Sequence, residues 1–400
     1  MNRMNVLKCT AALMICCAMG MGGSVSQPVH SATALFGDVS GHWAESGIRN
    51  ALELRIVDGY PDGSFRPDAS VTRAEFIKMA AQALKLPIGK AGEGADWYKA
   101  YVAATEEAGI SHSSDFNGGD LNAPISRLEM ARIAARSVES GLQVKEYNPE
   151  DHLIMYLATK TGLIQGMARG DLALEAATTR AQSVTIIDRI LRVKNGEKLE
   201  VDKYALANAE LAHLKTNIFT VMPDIFGGIQ YNKWDTSKMV METPDGLYKG
   251  SVDRIIAIDF EDPNDPNLNL LGDVNELLWW GAGDRFHYVR DNRKSYGIVF
   301  ERSLEYNKDT SKYGTGHGGP PIMYVSGINA PDDTALSEGV LNTRARLFKP
   351  DGTSANAVII PKDGLSTRRL MSIEIHAPAI PPNRTHAQDI VTVISPFYVK

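Results

Sequence analysis

Cysteine is nearly absent: the chain holds three, Cys9, Cys16 and Cys17, and none beyond them. The rest of the chain therefore has no disulfide, no thiol nucleophile and no cysteine-ligated metal. Excess positive charge is missing too. A net charge of -6 excludes a general nucleic-acid binder, which would carry a basic balance. After the first segment no apolar run is long enough for a transmembrane helix. No G-x-S-x-G elbow, H-E-x-x-H pair or P-loop occurs, so no nucleophile, zinc site or phosphate cradle is marked.

What is present begins with a targeting segment. Arg3 and Lys8 form a basic start, Thr10 to Met21 is a short apolar run, and Ala32-Thr33-Ala34 supplies small residues for cleavage. Residues 1–34 read as a secretory signal peptide, whose removal would leave a net charge of -8. Cys16 follows Ile15, a bulky residue that disfavours a lipoprotein anchor there. Four hundred residues with 44% hydrophobic content predict two or more domains with sizeable cores, at about 100–200 residues per domain.

One phrase recurs three times: Thr72-Arg73-Ala74-Glu75, Ser126-Arg127-Leu128-Glu129 and Thr179-Arg180-Ala181-Gln182. The arginines are 54 and 53 residues apart. A second landmark, Arg55-Ile56, Gly109-Ile110 and Gly162-Leu163, keeps the same two spacings. Two landmarks in one period predict an internal repeat of helix, loop and helix. The units cover 35–87, 95–140 and 150–195, with linkers at 87–95 and 141–150.

Each phrase fits a capping box, in which a hydroxyl caps the helix and the third residue reaches back. Thr72 with Glu75, Ser126 with Glu129, and Thr179 with Gln182 fill those positions. Each arginine then falls at the first helical position, where positive charge opposes the helix dipole. A bound anion would explain it. Free N–H groups, the dipole and a bidentate guanidinium would converge on one carboxylate or phosphate. The alternative is a solvated arginine copied by duplication.

The first unit resembles an S-layer homology (SLH) domain over nearly its full length. The resemblance rests on Phe36-Gly37-Asp38-Val39, His42-Trp43-Ala44, the run Ile56 to Pro67 and Thr72-Arg73-Ala74-Glu75. The second and third units match more loosely. The resemblance implies three helical modules packed as a pseudo-threefold unit. It also implies non-covalent binding to a secondary cell-wall polymer, a peptidoglycan-linked glycan that often carries pyruvate ketals. By motif, Arg73, Arg127 and Arg180 would meet its acidic groups in grooves between modules. The third unit lacks the tryptophan that Trp43 and Trp97 supply and has Gln182 for the motif glutamate. The second lacks the Asp-Gly-Tyr-Pro-Asp-Gly loop. The three grooves are therefore expected to be unequal, with the one using Arg73 best preserved. Trp43 fits either the core or stacking on a sugar ring. Tyr60 and Ala69 stand where an EF-hand would need ligands, which rules that assignment out for the Asp58–Asp62 loop.

The remainder differs in kind. A helix is expected near Tyr204–Leu214, followed by short β-prone runs at Arg254–Phe260, Tyr296–Glu301, Pro321–Val325, Arg344–Phe348, Ala357–Ile360, Met371–Ile375 and Ile390–Ile394. Pro350-Asp351-Gly352 stands where a hairpin turn would. These predict a mostly β sandwich or barrel over 203–400. Glu261, Asp262 and Asp265, with Asn264 and Asn267, offer either a calcium site or a solvated turn cluster. Gly314 to Gly319 is similar to an oxyanion-hole loop, with a plain surface loop as the alternative. His287, His317, His376 and His386 lack zinc spacing. In the pair Trp279-Trp280 one ring is expected in the core and the other exposed.

The expectation is an exported, wall-anchored surface protein of structural or binding role. Its β half would assemble with copies of itself or other surface-layer proteins, or bind a ligand. The alternative is a wall-anchored hydrolase acting on carbohydrate or peptide.

Overall fold

The computed structural model describes residues 36–400 apart from 91, 93, 117, 145–146, 281–284, 315–318, 330–333, 335–337, 339–346, 350–351, 380–382, 384 and 399–400. The signal segment, the three cysteines and His317 thus lie outside the described residues, as does most of the Gly314–Gly319 loop.

Six helices form three pairs: α1 (Glu45–Glu53) with α2 (Arg73–Ala83), α3 (Lys99–Glu107) with α4 (Arg127–Val138), and α5 (Asp151–Lys160) with α6 (Arg180–Lys194). Packing runs around a circle rather than within pairs: α3 lies on α2, α5 on α4, and α1 closes on α6. No pair buries its apolar face alone. One hydrophobic core takes Ile48 and Phe76 from the first pair, Met130 and Ile133 from the second, and Ile154 and Ile187 from the third.

At its centre the extended residues before α2, α4 and α6 bond in a closed ring. Val71 N–H donates to Thr178 (2.9 Å), Thr178 N–H to Ile125 (3.1 Å), and Ile125 N–H to Val71 (3.0 Å). All three long helices start with a capping box: Thr72, Ser126 and Thr179 accept from the third residue, whose side chain accepts from the cap N–H.

Helix α7 (Lys203–Leu214) joins this bundle to the second half. Asp202 accepts from Tyr204 and Ala205 N–H to cap it, and its other oxygen accepts from Gly166 N–H at 3.0 Å. Asn208 donates to the Gly170 carbonyl at 2.9 Å. Gly170 has φ +71°, and a Cβ there would come within 2.4 Å of the Tyr204 carbonyl carbon, so no other residue fits. At the far side Lys203 and the Tyr204 hydroxyl bond Asp262.

Two short helices, α8 (Ile218–Val221) and α9 (Pro223–Phe226), lead into the strands. These are β1 (Gln230–Asn232), β2 (Val240–Glu242), β3 (Tyr248–Asp259), β4 (Leu278–Trp280), β5 (Phe286–Tyr288), β6 (Ser295–Asn307), β7 (Ile322–Ile328), β8 (Leu347–Phe348), β9 (Ser354–Ala355), β10 (Ala357–Pro361), β11 (Thr367–Pro378) and β12 (Thr385–Ile394). They form three antiparallel sheets, ordered β10-β6-β3-β2, β1-β12-β11-β7 and β5-β4-β8-β9.

The first two sheets face each other over a shared core of Ile255, Ile298, Met371, Ile373 and Val391. The third covers the back of the first, where Ile256, Ile258, Val299 and Ile359 meet Trp279 and Leu347. Burial on both faces explains why Ile255-Ile256-Ala257-Ile258 is continuously apolar instead of alternating. The expected sandwich therefore has a third layer. The strand expected at Arg344–Phe348 is described only at Leu347–Phe348. Gly352, with φ +81°, closes the turn between β8 and β9. Trp279 is fully buried against the His287 ring, 4.8 Å away; the Trp280 side chain lies outside the described residues.

Buried Glu210 on α7 accepts from Phe219 N–H at 3.0 Å and from the Thr220 hydroxyl. Burial pushes its carboxyl up to about 7, although those two bonds pull the other way. The folded state thus holds this proton after the unfolded chain has lost it. Glu210 should favour folding below about pH 4.5 and lose that contribution as pH rises to about 7. Chemical denaturation between pH 4 and 8 should show this decline in wild type and a flatter profile in Glu210→Gln. Gly170→Ala should lower the melting temperature by several degrees, in keeping with a cost of about 1–3 kcal/mol for strain at a left-handed position.

Candidate functional site

The three repeated arginines sit at the three places where one unit meets the next. Each lies at the first position of its helix, and each is buried: Arg73, Arg127 and Arg180 are 8%, 6% and 5% exposed. Their helix starts are not open to an external anion. The backbone N–H groups of Arg73, Arg127 and Arg180 donate to Ala123, Ala176 and Ala69 at 2.9–3.0 Å. Those of Ala74, Leu128 and Ala181 donate to Leu121, Leu174 and Pro67. Carbonyl oxygens of the adjoining unit thus occupy the place expected for a ligand carboxylate. They supply the negative end that the dipole requires.

The guanidinium groups continue the same pattern with unequal partners. Arg73 forms a two-pronged pair with Glu129 (3.1 and 2.6 Å) and donates to the Asp120 carbonyl at 2.9 Å. Beside it Arg136 and Asp115 form a fully buried pair, and Arg132 bonds Asp151. Arg127 donates to the Leu172 and Gln165 carbonyls at 3.0 and 2.7 Å. Burial holds it below the usual guanidinium range, partly offset by Asp171. Gln182, which stands where Glu129 stands for Arg73, caps its own helix. Arg180 donates to the Phe65 and Asp58 carbonyls, both at 3.0 Å, with Glu75 3.8 Å away.

A cavity of about 260 Å³ opens against Arg180. Asp58, Gly59 and Tyr60 of the first unit's loop form one wall, Glu75 and Lys78 of α2 another, and Trp97 of the second unit a third. The Arg180 guanidinium lies over the Tyr60 and Phe65 rings, at 4.9 and 4.7 Å. This relocates the best-preserved groove. Each arginine reaches into the loop of a different unit, so the well-matched loop of the first unit belongs with Arg180, not with Arg73. The Arg73 position is filled by its pair with Glu129. Lys78 was not singled out from sequence, although its position five residues after Arg73 places it one helical turn and a half along the same helix.

Trp43 is 64% exposed, so the core alternative does not hold; its ring lies 5.3 Å from His42. Trp97 is half-buried and packs edge-on against Tyr98.

In the second half the acidic cluster turns its oxygens to other partners. Asp262 is held by Lys203 and Tyr204, Glu261 by Lys362, and Asp265 by the N–H groups of Asp259 and Asn267. Among the described residues no three histidine, aspartate or glutamate side chains gather as a metal site would require. Ser326, Glu374 and His376 lie in line on the outer face of one sheet. The carboxylate stands between serine and histidine, so the imidazole does not reach the hydroxyl it would have to deprotonate.

The SLH family, the S-layer homology domain, matches residues 35–77. The S-layer protein sap of Bacillus anthracis is 34% identical over 131 residues, spanning 31% of this chain and 16% of its own. The cellulosome-anchoring protein of Acetivibrio thermocellus is 28% identical over 149 residues, spanning 34% and 33%. An amylopullulanase of Thermoanaerobacterium thermosulfurigenes is 31% identical over 175 residues, spanning 39% and 9%. Residues 35–77 are an S-layer homology domain. The chain is a secreted protein of the cell wall or cell surface, of the wall-anchored class, and covers only a small part of the length of these relatives. No helix among the described residues is long and apolar enough to cross a membrane.

Arg73→Met should lower stability by about 3–5 kcal/mol, because Glu129 is left buried without its partner. Adding Glu129→Gln should recover most of the loss, since Gln182 caps in the same position. Urea unfolding of the single and double variants checks this.

Proposed function

We propose that the three helix pairs are S-layer homology repeats in one pseudo-threefold unit. This unit holds the protein on the wall by binding an acidic secondary cell-wall polymer beside Arg180. The observation that carries the reading is the cavity lined by Lys78, Tyr60 and Trp97. Sugar rings stack on aromatic faces, and an acidic substituent needs a cation in reach. Lys78 supplies that cation at the mouth, 30% exposed and 3.5 Å from Asp58. Arg180 supplies positive charge at the floor. A carboxylate such as a pyruvate ketal fits this pair.

In this reading the other two arginines act differently. Arg73 and Arg127 hold neighbouring units together, and their sites contribute to binding through the shape of the unit. Trp43 precedes α1 as Trp97 precedes α3, and its exposed ring offers a second platform along the same polymer. The β half is the working part that the anchor presents at the surface, for assembly with surface-layer copies or for ligand binding. The cellulosome-anchoring and S-layer relatives support anchoring as the shared role of the matched region. The amylopullulanase relative shows that such a region also accompanies hydrolases, so the wall-anchored enzyme stays as the second reading for the β half.

The mature full chain should sediment with purified sacculi. Lys78→Ala and Trp97→Ala should each weaken binding about tenfold, the scale of one lost charged or stacking contact of 1.4 kcal/mol. Both should keep the melting temperature within a few degrees. Sacculi stripped of acidic polymer should not bind; equal binding to stripped sacculi contradicts the mechanism.

A further inference from the structure

A second cleft lies where the helical bundle meets the β half. Its volume is about 460 Å³. Tyr156 and Lys160 of α5 form one side, Glu210 of α7 the floor, and Phe219, Lys233 and Trp234 the other side. It is separate from the cavity beside Arg180, with which it shares no residue.

Its chemistry has two parts. The first is aromatic. Trp234 is fixed by its indole N–H, which donates to the Leu214 carbonyl at 3.0 Å, and by an edge-on contact with Phe219 at 5.7 Å. Tyr156 faces the cleft from the bundle. The second is cationic. Lys160 donates to the Tyr156 hydroxyl at 3.4 Å, its ammonium lies 5.2 Å from that ring, and its charge also acts on Glu210. Among the described residues neither Lys160 nor Lys233 has a carboxylate partner. The one carboxyl in the cleft, Glu210, already accepts from Phe219 N–H and the Thr220 hydroxyl. Two ammonium groups without a salt-bridge partner among the described residues thus stand beside aromatic faces, in a cavity of the size that small ligands use.

We propose that this junction cleft binds a carboxylate-bearing sugar, with the ring against Trp234 or Tyr156 and the acid group between Lys160 and Lys233. The proposal takes its ligand class from the anchoring reading but rests on a different site. Because the cleft draws residues from both halves, an occupant would link the orientation of the β half to the wall glycan.

The test uses the full mature chain labelled with 5-fluorotryptophan, whose five tryptophans give separate fluorine resonances. Trp234→Phe assigns one of them and Trp97→Phe another. The probes are trigalacturonate, its neutral counterpart α-1,4-galactotriose, and inorganic phosphate. The expected result is a saturable shift of the Trp234 resonance with trigalacturonate. Lys160→Ala/Lys233→Ala should weaken it about tenfold or more, while Lys78→Ala leaves it unchanged. α-1,4-Galactotriose should shift it far less. An unmoved Trp234 resonance overturns the proposal, as do equal responses to the acidic and neutral sugars, an effect reproduced by phosphate alone, or insensitivity to the lysine pair. Failure of the anchoring reading shows separately, as sacculus binding that ignores Lys78→Ala.

Discussion

Every long helix of the bundle begins with backbone donors that its own unit cannot satisfy. A helix start leaves its first N–H groups unpaired, and burying them unpaired is costly. Here carbonyl oxygens of the adjoining unit take the first two donors, and the capping hydroxyl takes the third. The ring through Val71, Ile125 and Thr178 adds a backbone bond at each junction. Each unit thereby completes another, and the circle closes only when all three are present. The single core shared by the three pairs follows from the same closure.

The buried arginines extend this logic from backbone to side chain. A guanidinium offers five donors in a fixed fork, enough to bind two carbonyls of the neighbouring loop and still face an acid. What differs is the acid. Glu129 takes Arg73 fully, Gln182 brings no charge to its junction, and Glu75 stays 3.8 Å from Arg180. One glutamine among the three acid positions, and the different approach of the two glutamates, thus make three equivalent junctions into three different environments. An open cavity lies at the junction whose loop carries Tyr60 and Asp58 and whose helix carries Lys78.

Much of this was legible in the chain. The period of 54 and 53 residues, the hydroxyl before each arginine and the residue three places on lead directly to the helix starts of α2, α4 and α6. The runs around Ile255, Ile298, Met371 and Val391 mark the central strands. The site was less legible, for a physical reason. The sequence places Arg73 next to its own unit's motif, but the arginine reaches across to another unit, and circular order is a property of packing. The expectation of an external anion at the helix starts erred in the same way, because the carbonyls that replace it lie far along the chain: Ala123 for Arg73, Ala176 for Arg127 and Ala69 for Arg180. Short strands such as β1, β4 and β5 carry too few residues to show an alternating pattern. Lys78 carries no motif and becomes visible only beside Trp97.

Native-state hydrogen exchange tests the closure most directly. If the units complete one another, the amides of Val71, Ile125 and Thr178 exchange only through a shared opening. They should then show the same free energy and the same denaturant dependence. Exchange of one of the three through an independent local opening, with the other two still protected, would contradict the account.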